Sequence, residues 1–272
     1  DHSNTLLAPE AVIFDDNREL RTGSLTEDFV SSHLGATYQA NAWSGNARVE
    51  YRDADTGDSL NMIAGWYREP TVGHGMSGAL EWFTGDVSGG GTATMGNLRF
   101  GWAYRLADQK WSFLNRSDFI IEERDTELLS QESWRIINNF NANKRLGAGS
   151  ELSIKYGLKY VRTEFSEDTY SGFTDLIGVE YRHSFRPRWD FGLHADVYHS
   201  WRADAYDYSV GADIGFQVLE NTWLAVGYNV KGFSDTDFSD AGYLAQGPFL
   251  RFSVKADQES LKRIANGFSR RR

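Results

Sequence analysis

The chain has 272 residues and a formal net charge of −10, and this acidic balance argues against nucleic acid as a partner. No apolar run approaches about 18 residues, which excludes a transmembrane helix but not a membrane β-barrel, because half of each barrel strand faces a polar lumen. Aromatic residues make up 14% of the chain and cysteine is absent, a composition that fits a Gram-negative cell envelope protein with aromatic rings at two membrane interfaces.

Alternation of apolar and polar residues recurs from about residue 30 to residue 255 and predicts a series of half-apolar strands. Every second residue is apolar or aromatic, in chain order, within 34–40, 47–51, 60–66, 78–82, 98–104, 152–160, 177–181, 189–197 and 206–216. Two further segments, 111–121 and 133–143, are less regular because Asn115 and Asn138 interrupt the apolar face.

The last predicted hairpin, residues 221–255, shows the pattern most clearly. Its first strand places Leu224 and Val226 on one face, and in the returning strand Leu250 and Phe252 alternate with Arg251. Strands of about ten residues have the length needed to cross a bilayer at a tilt. Apolar residues on one face and charges on the other indicate lipid on one side and a wet lumen on the other.

The connections between these strands alternate between two kinds. Tight turns are predicted at 42–45, 71–75, 107–110, 146–150, 186–188 and 219–221, and long polar loops near 53–58, 84–94, 122–132, 164–171, 202–206 and 232–242. Short turns on one rim and long loops on the other are typical of outer-membrane barrels, with the short turns in the periplasm.

The sequence therefore predicts an all-β fold, a transmembrane antiparallel up-and-down β-barrel of about 12–14 strands, with membership of a larger barrel left open. Thirteen strand-like runs lie between residues 30 and 255. Because bacterial single-chain barrels have even strand numbers, residues 1–8 are predicted to end one more strand, with 9–29 as an outer loop. Such a start inside a strand would indicate an N-terminal continuation of the natural chain. The barrel domain is assigned to 1–257 and a short basic periplasmic tail to 258–272.

The face opposite the apolar one carries charges of both signs, and these residues are the predicted site. The candidate lumen-lining residues are Arg99, Arg116, Asp118, Arg135, Lys155, Lys159, Glu180, Asp196, Asp213 and Arg251; the same face also carries Arg48, Glu50, Arg52, Glu81, Arg105, Arg182, Asp190 and Lys255. In a wide barrel such charges line a water-filled pore, and in a narrow or plugged one they form ion pairs that rigidify the wall.

Motifs of catalysis or cofactor binding are not found in the sequence. The six histidines show no local metal-binding spacing, and His199 near Asp204 and Asp207 is only a weak sign of a protease at the outer rim. Asp235, Asp237 and Asp240 lack the glycine and glutamate of an EF-hand loop, so a solvated acidic loop is favoured. We expect no enzyme activity, no cofactor and no metal.

Several motifs resemble a known family, the C-terminal outer-membrane barrel of large repeat-containing surface proteins. They are Trp-Leu-Ala-Val-Gly-Tyr-Asn-Val-Lys-Gly-Phe at 223–233, Asp-x-Asp-Phe-Ser at 235–239, Gln-Gly-Pro-Phe-Leu-Arg-Phe at 246–252, and the segments 134–143, 170–176, 189–195 and 199–201. The resemblance covers most of residues 24–257. It implies a barrel that anchors, and helps export, a region built of repeats, and it implies no catalytic residues.

Two functions follow as expectations. The first is a membrane anchor and translocator in the bacterial outer membrane, which holds attached segments or partner proteins. The alternative is a porin-type channel for small hydrophilic solutes. The expected partners are outer-membrane lipid and lipopolysaccharide, the barrel-assembly machinery, and an N-terminal continuation of the chain or partner proteins.

Overall fold

The computed structural model describes residues 29–254, apart from residues 56, 88–89, 109, 127–129, 148, 167, 220–221, 234–237 and 239–244. The strand predicted at 1–8, almost all of the loop predicted at 9–29 and the basic tail at 258–272 lie outside the described residues. Within the described part of the chain, no helix is long and apolar enough to cross a membrane.

The described residues form thirteen strands in a single sheet. The strands are β1 (Phe29–Ala40), β2 (Trp43–Ala54), β3 (Ser59–Thr71), β4 (His74–Asp86), β5 (Thr92–Arg105), β6 (Trp111–Asp125), β7 (Ser130–Gly147), β8 (Ser150–Phe165), β9 (Asp168–Arg186), β10 (Trp189–Ser200), β11 (Ala205–Leu219), β12 (Thr222–Lys231) and β13 (Gly247–Val254). Each strand pairs antiparallel with the next one along the chain, which confirms the predicted up-and-down fold and falls within the predicted range of strand number. Among the described residues no ladder joins β1 to β13, so the sheet has two edges.

The two faces of the sheet differ in chemistry because side chains alternate along every strand. On the outer face, Ile214, Val226 and Leu250 are 56%, 61% and 68% exposed. On the inner face, Asp190 and Asp213 are only 4% and 3% exposed. Apolar exposure with carboxylate burial is the reverse of a water-soluble protein and is the arrangement of a wall whose outer face meets lipid.

Aromatic side chains on the outer face of β6–β8 form two groups at different heights. Near the tight turn after β5, the ring of Phe113 stacks on Trp111 at 5.7 Å and on Phe140 at 6.3 Å between centroids. Further along the same strands, Trp134 contacts Tyr160 at 5.1 Å. Such rings occupy the two membrane–water interfaces of outer-membrane barrels.

The connections differ from the prediction at three places where a long loop was expected. Most of 84–94, 122–132 and 164–171 is strand, because only residues 87–91, 126–129 and 166–167 lie between the strands there. Polar side chains pair directly beside these extensions, where the hydroxyls of Ser133 and Thr163 lie 3.0 Å apart across β7 and β8. The prediction mistook polar strand ends for loops because solvated strand ends have polar residues on both faces. The strands end at two rims. We call the rim that carries these connections and the β12–β13 connection the loop rim, and the opposite rim the turn rim.

Candidate functional site

The inner face of β5 and β6 carries one acid held between two arginines. The carboxylate of Asp118 accepts hydrogen bonds from Nε of Arg99 at 2.8 Å and from Nε of Arg116 at 2.8 Å. Register places Arg99 directly opposite Asp118, and Arg116 lies two residues earlier on the same face. Asp118 is 3% exposed, whereas the two arginine side chains are 23% and 29% exposed. This arginine–aspartate triad therefore presents a formal charge of +1 to the inner side.

Arg135 on β7 pairs with an acid outside this triad. Its Nη2 donates to Oε1 of Glu122 on β6 at 2.6 Å. Glu122 was assigned to a loop by the sequence pattern, so its role as the partner of Arg135 was missed. The pair is electrically neutral and ties the two strands near the loop rim.

A larger network centres on Arg182 of β9. Its Nη1 donates to Asp190 on β10, and its Nη2 donates to Glu180 at 2.9 Å and to Asp213 on β11 at 3.0 Å. The side chain of Asp213 is 0% exposed and that of Asp190 is 6% exposed. One guanidinium thus holds three carboxylates from three adjacent strands.

Two further cations complete this network. Arg251 on β13 donates to Oε1 of Glu180 and to Oδ2 of Asp213, at 3.3 Å in both cases. The Nζ atom of Lys155 on β8 lies 3.7 Å from Oε2 of Glu180. We call these three cations and three carboxylates the β8–β13 ion network; as a set of six they have no formal net charge, and they link strands from β8 to β13.

A glycine on β10 lets Arg182 on β9 reach Asp213 on β11. Gly192 on β10 pairs with Arg182 on one side and with Asp213 on the other. A Cβ at Gly192 would lie 2.7 Å from Nη2 of Arg182 and 2.7 Å from Oδ2 of Asp213. The missing side chain leaves a gap through which the guanidinium reaches the second strand. Gly178 occupies the same position between Lys155 and Asp196.

The remaining candidates lie nearer the loop rim. Asp196 is 2% exposed on the inner face of β10. The Nζ atom of Lys159 lies 5.4 Å from the ring centroid of Phe238, which belongs to the β12–β13 connection. Phe238 is 3% exposed and packs with Leu176 and Tyr198, beside Gly157, where a Cβ would come within 2.5 Å of the ring. Phe238 therefore anchors its connection on the inner face, which the sequence did not predict because the residue lies in a polar loop.

The structure brings most of the ten candidates into two groups. Arg99, Arg116 and Asp118 share one group, and Lys155, Glu180, Asp213 and Arg251 share the other. Arg135 pairs with Glu122, Lys159 lies over the ring of Phe238, and Asp196 lies across Gly178 from Lys155.

The histidine singled out at the outer rim has other partners than the nearby acids. The ring of His199 stacks on Tyr206 at 4.2 Å, and Nδ1 lies 3.5 Å from Oδ1 of Asp175. Asp207 pairs with Tyr198 in the ladder and so points to the opposite face from His199. Across the described residues no group of three metal-binding side chains is found. Asp235, Asp237 and Asp240 lie outside the described residues.

Comparisons with known proteins bear on the fold alone. No family model matches the chain, and no curated protein does. The siderophore receptor PirA from Pseudomonas aeruginosa matches with a TM-score of 0.57 and 10% identity, over 75% of this chain and 41% of that one. The chain thus spans about two fifths of the length of that receptor.

Two other solved structures match at lower similarity. The CymD monoaromatic hydrocarbon channel matches with a TM-score of 0.40 and 8% identity, over 75% of this chain and 81% of that one. The TodX deltaS2S3 mutant monoaromatic hydrocarbon channel matches with a TM-score of 0.41 and 7% identity, over 74% of this chain and 77% of that one. The resemblance to repeat-containing surface proteins is therefore supported only at the coarser level of outer-membrane barrels. The chain has the antiparallel up-and-down β-barrel fold of outer-membrane proteins.

Proposed function

We propose that this chain forms the wall of an outer-membrane channel whose charged inner face lines a passage for small hydrophilic solutes. The observation that carries the proposal is the width of the wall together with its ionic inner face. About eight strands enclose a space that side chains fill, whereas 16–18 strands enclose an aqueous channel. A closed ring that contains the thirteen described strands would be wider than the eight-stranded barrel that its own side chains fill.

The inner face suits water rather than a packed core. A dry, packed interior would bury the arginine side chains together with their carboxylate partners, but the arginines of the triad remain 23% and 29% exposed on the inner side. The guanidinium groups therefore stay in contact with solvent, as the wall of a water-filled pore requires.

The arginine–aspartate triad supplies a test of solute passage. The purified full-length chain, reconstituted in planar bilayers, is expected to give stepwise ion currents. Arg116→Gln removes the net charge of the triad and should shift the reversal potential in a salt gradient toward cation preference. Arg162→Gln is the matched control, because Arg162 lies in an exposed pair with Glu164, on the outer face. Inserted barrels that carry no current would contradict the channel.

A second candidate is the anchor and translocator, and the β8–β13 ion network favours it. A neutral network of six charges across these strands rigidifies one side of the wall, which an anchor for attached segments or partner proteins needs more than a pore does. Protease protection of the chain in vesicles without any conductance would favour this candidate. Contact with lipopolysaccharide and insertion by the barrel-assembly machinery are proposals under either function.

A further inference from the structure

Three polar side chains form a hydrogen-bonded cluster on the outer face, where lipid is expected. The amides of Asn115 on β6 and Asn138 on β7 bond reciprocally, each nitrogen donating to the other's oxygen at 3.2 Å. Nδ2 of Asn138 also donates to Oγ of Ser117 at 2.8 Å. Ser117 pairs with Asn138 in the ladder. The next pair along the ladder, Asp118 with Ile137, is on the inner face, so Ser117 and Asn138 are on the outer face. We call these three residues the outer polar cluster.

The cluster lies near the middle of the membrane-spanning height of β6. Ten residue steps separate Trp111 from Ile121, and at about 3.4 Å a step and a tilt of about 40° they rise about 25 Å, which is the height of the apolar band of a barrel. Asn115 and Ser117 stand on either side of the midpoint of this span. Around them the outer face is apolar, and Phe119 and Ile136 are 38% and 39% exposed.

The cluster has hydrogen-bonding capacity that its own contacts do not use. A primary amide has two N–H donors and an oxygen with two lone pairs. Asn115 uses one N–H donor and one oxygen lone pair in its bonds with Asn138. Its second N–H donor and second lone pair have no partner among the described residues. Acyl chains offer neither a donor nor an acceptor, so polar groups at this depth face protein rather than lipid.

We infer that the outer polar cluster is the centre of a contact with a second copy of this chain. Two copies inserted the same way in one membrane are related by a two-fold axis along the membrane normal, which brings each residue to the same depth in both. An amide is complementary to itself, because the N–H of one donates to the C=O of the other and the reverse. The second Asn115 therefore offers the donor and the acceptor that the first one lacks, at the same height. The inference rests on membrane insertion and does not depend on solute passage.

Cross-linking of the purified full-length chain in lipid vesicles tests this contact. Phe119→Cys places a thiol on the outer face two residues from Ser117, and Ile214→Cys places one on the outer face of β11 as the matched control. With a short bifunctional maleimide we expect dimers of the first variant at least ten times more abundant than those of the second. Adding Asn115→Leu and Asn138→Leu together should abolish the difference, because both amides are removed at once.

Folding and insertion are measured on the same samples by protease protection and by unfolding in urea. The double leucine variant should remain protected, since two apolar residues replace two amides on a lipid-facing surface. Equal cross-linking at Phe119→Cys and Ile214→Cys would overturn the inference, as would dimers that persist in the double leucine variant. Loss of protease protection in the wild-type chain would instead overturn the membrane insertion on which the proposed function depends.

Discussion

Arg182 is the residue whose removal should damage this wall most. The change Arg182→Met keeps a flexible, unbranched stem and removes the charged guanidinium group. It leaves Asp190, Glu180 and Asp213 with only Arg251 and Lys155 as the cations of the network, so the β8–β13 ion network passes from neutral to −1. The carboxylate of Asp213 is then the critical group, because its side chain is 0% exposed.

The expected loss follows from the burial of these groups. Removing one partner of a buried ion pair costs about 3–5 kcal/mol, because the other charge is left uncompensated. Since the side chain of Arg182 is 24% exposed on the inner side, we take the lower end, about 3 kcal/mol, which changes the unfolding equilibrium on the order of 100-fold. Adding Asp213→Asn to Arg182→Met removes the uncompensated charge and should restore part of this loss.

Unfolding in urea within lipid vesicles, followed by tryptophan fluorescence, measures the difference. The matched control is Arg162→Met, which breaks the pair with Glu164, where both side chains are 45% and 43% exposed. An exposed pair contributes about 0–1 kcal/mol. If Arg182→Met were no more destabilising than Arg162→Met, the network would not stabilise the wall and the argument from burial would be wrong.

Three further predictions follow from the fold. Gly192→Ala should destabilise the barrel in the same urea assay, because the new Cβ would lie 2.7 Å from side-chain atoms of Arg182 and Asp213. Gly147→Ala is the control and should have little effect, because a Cβ there meets nothing within 4 Å. Equal losses of stability in the two variants would refute the role of the gap. Lys159→Cys on the inner face should react with a water-soluble thiol reagent and Leu158→Cys on the outer face should not, and the opposite order would reverse the two faces. Protease added to intact cells should cut within 232–246 and spare the turn at 186–188, while cleavage confined to that turn would reverse the orientation.

Local alternation was enough to predict the strands and their two faces. In β10, for example, Leu193 and Val197 are outward and about half exposed, whereas Asp190 and Asp196 are inward and buried, and this order can be read from one segment of sequence. The period of two is a property of each strand alone, so it needs no knowledge of neighbours.

The partners of the charges could not be predicted in the same way. Arg251 and Glu180 are 71 residues apart in the chain, and Arg182 and Asp213 are 31 apart. Their meeting depends on the register of every strand between them and on the gap at Gly192. A shift of one residue in any ladder would separate them and turn their side chains to the other face. The charged composition of the inner face could therefore be predicted from the sequence. The division of these charges into the arginine–aspartate triad and the β8–β13 ion network could not.

The odd number of described strands has a consequence for the direction in which the chain runs at the two edges of the sheet. β1 and β13 both run from the loop rim to the turn rim, because twelve reversals separate them. Joined directly, they would form a parallel ladder with slanted hydrogen bonds, unlike the other pairings of the sheet. An odd number of strands placed between the two edges would instead make every pairing antiparallel. Closure of the ring by strands from outside the described residues therefore needs an odd number of them.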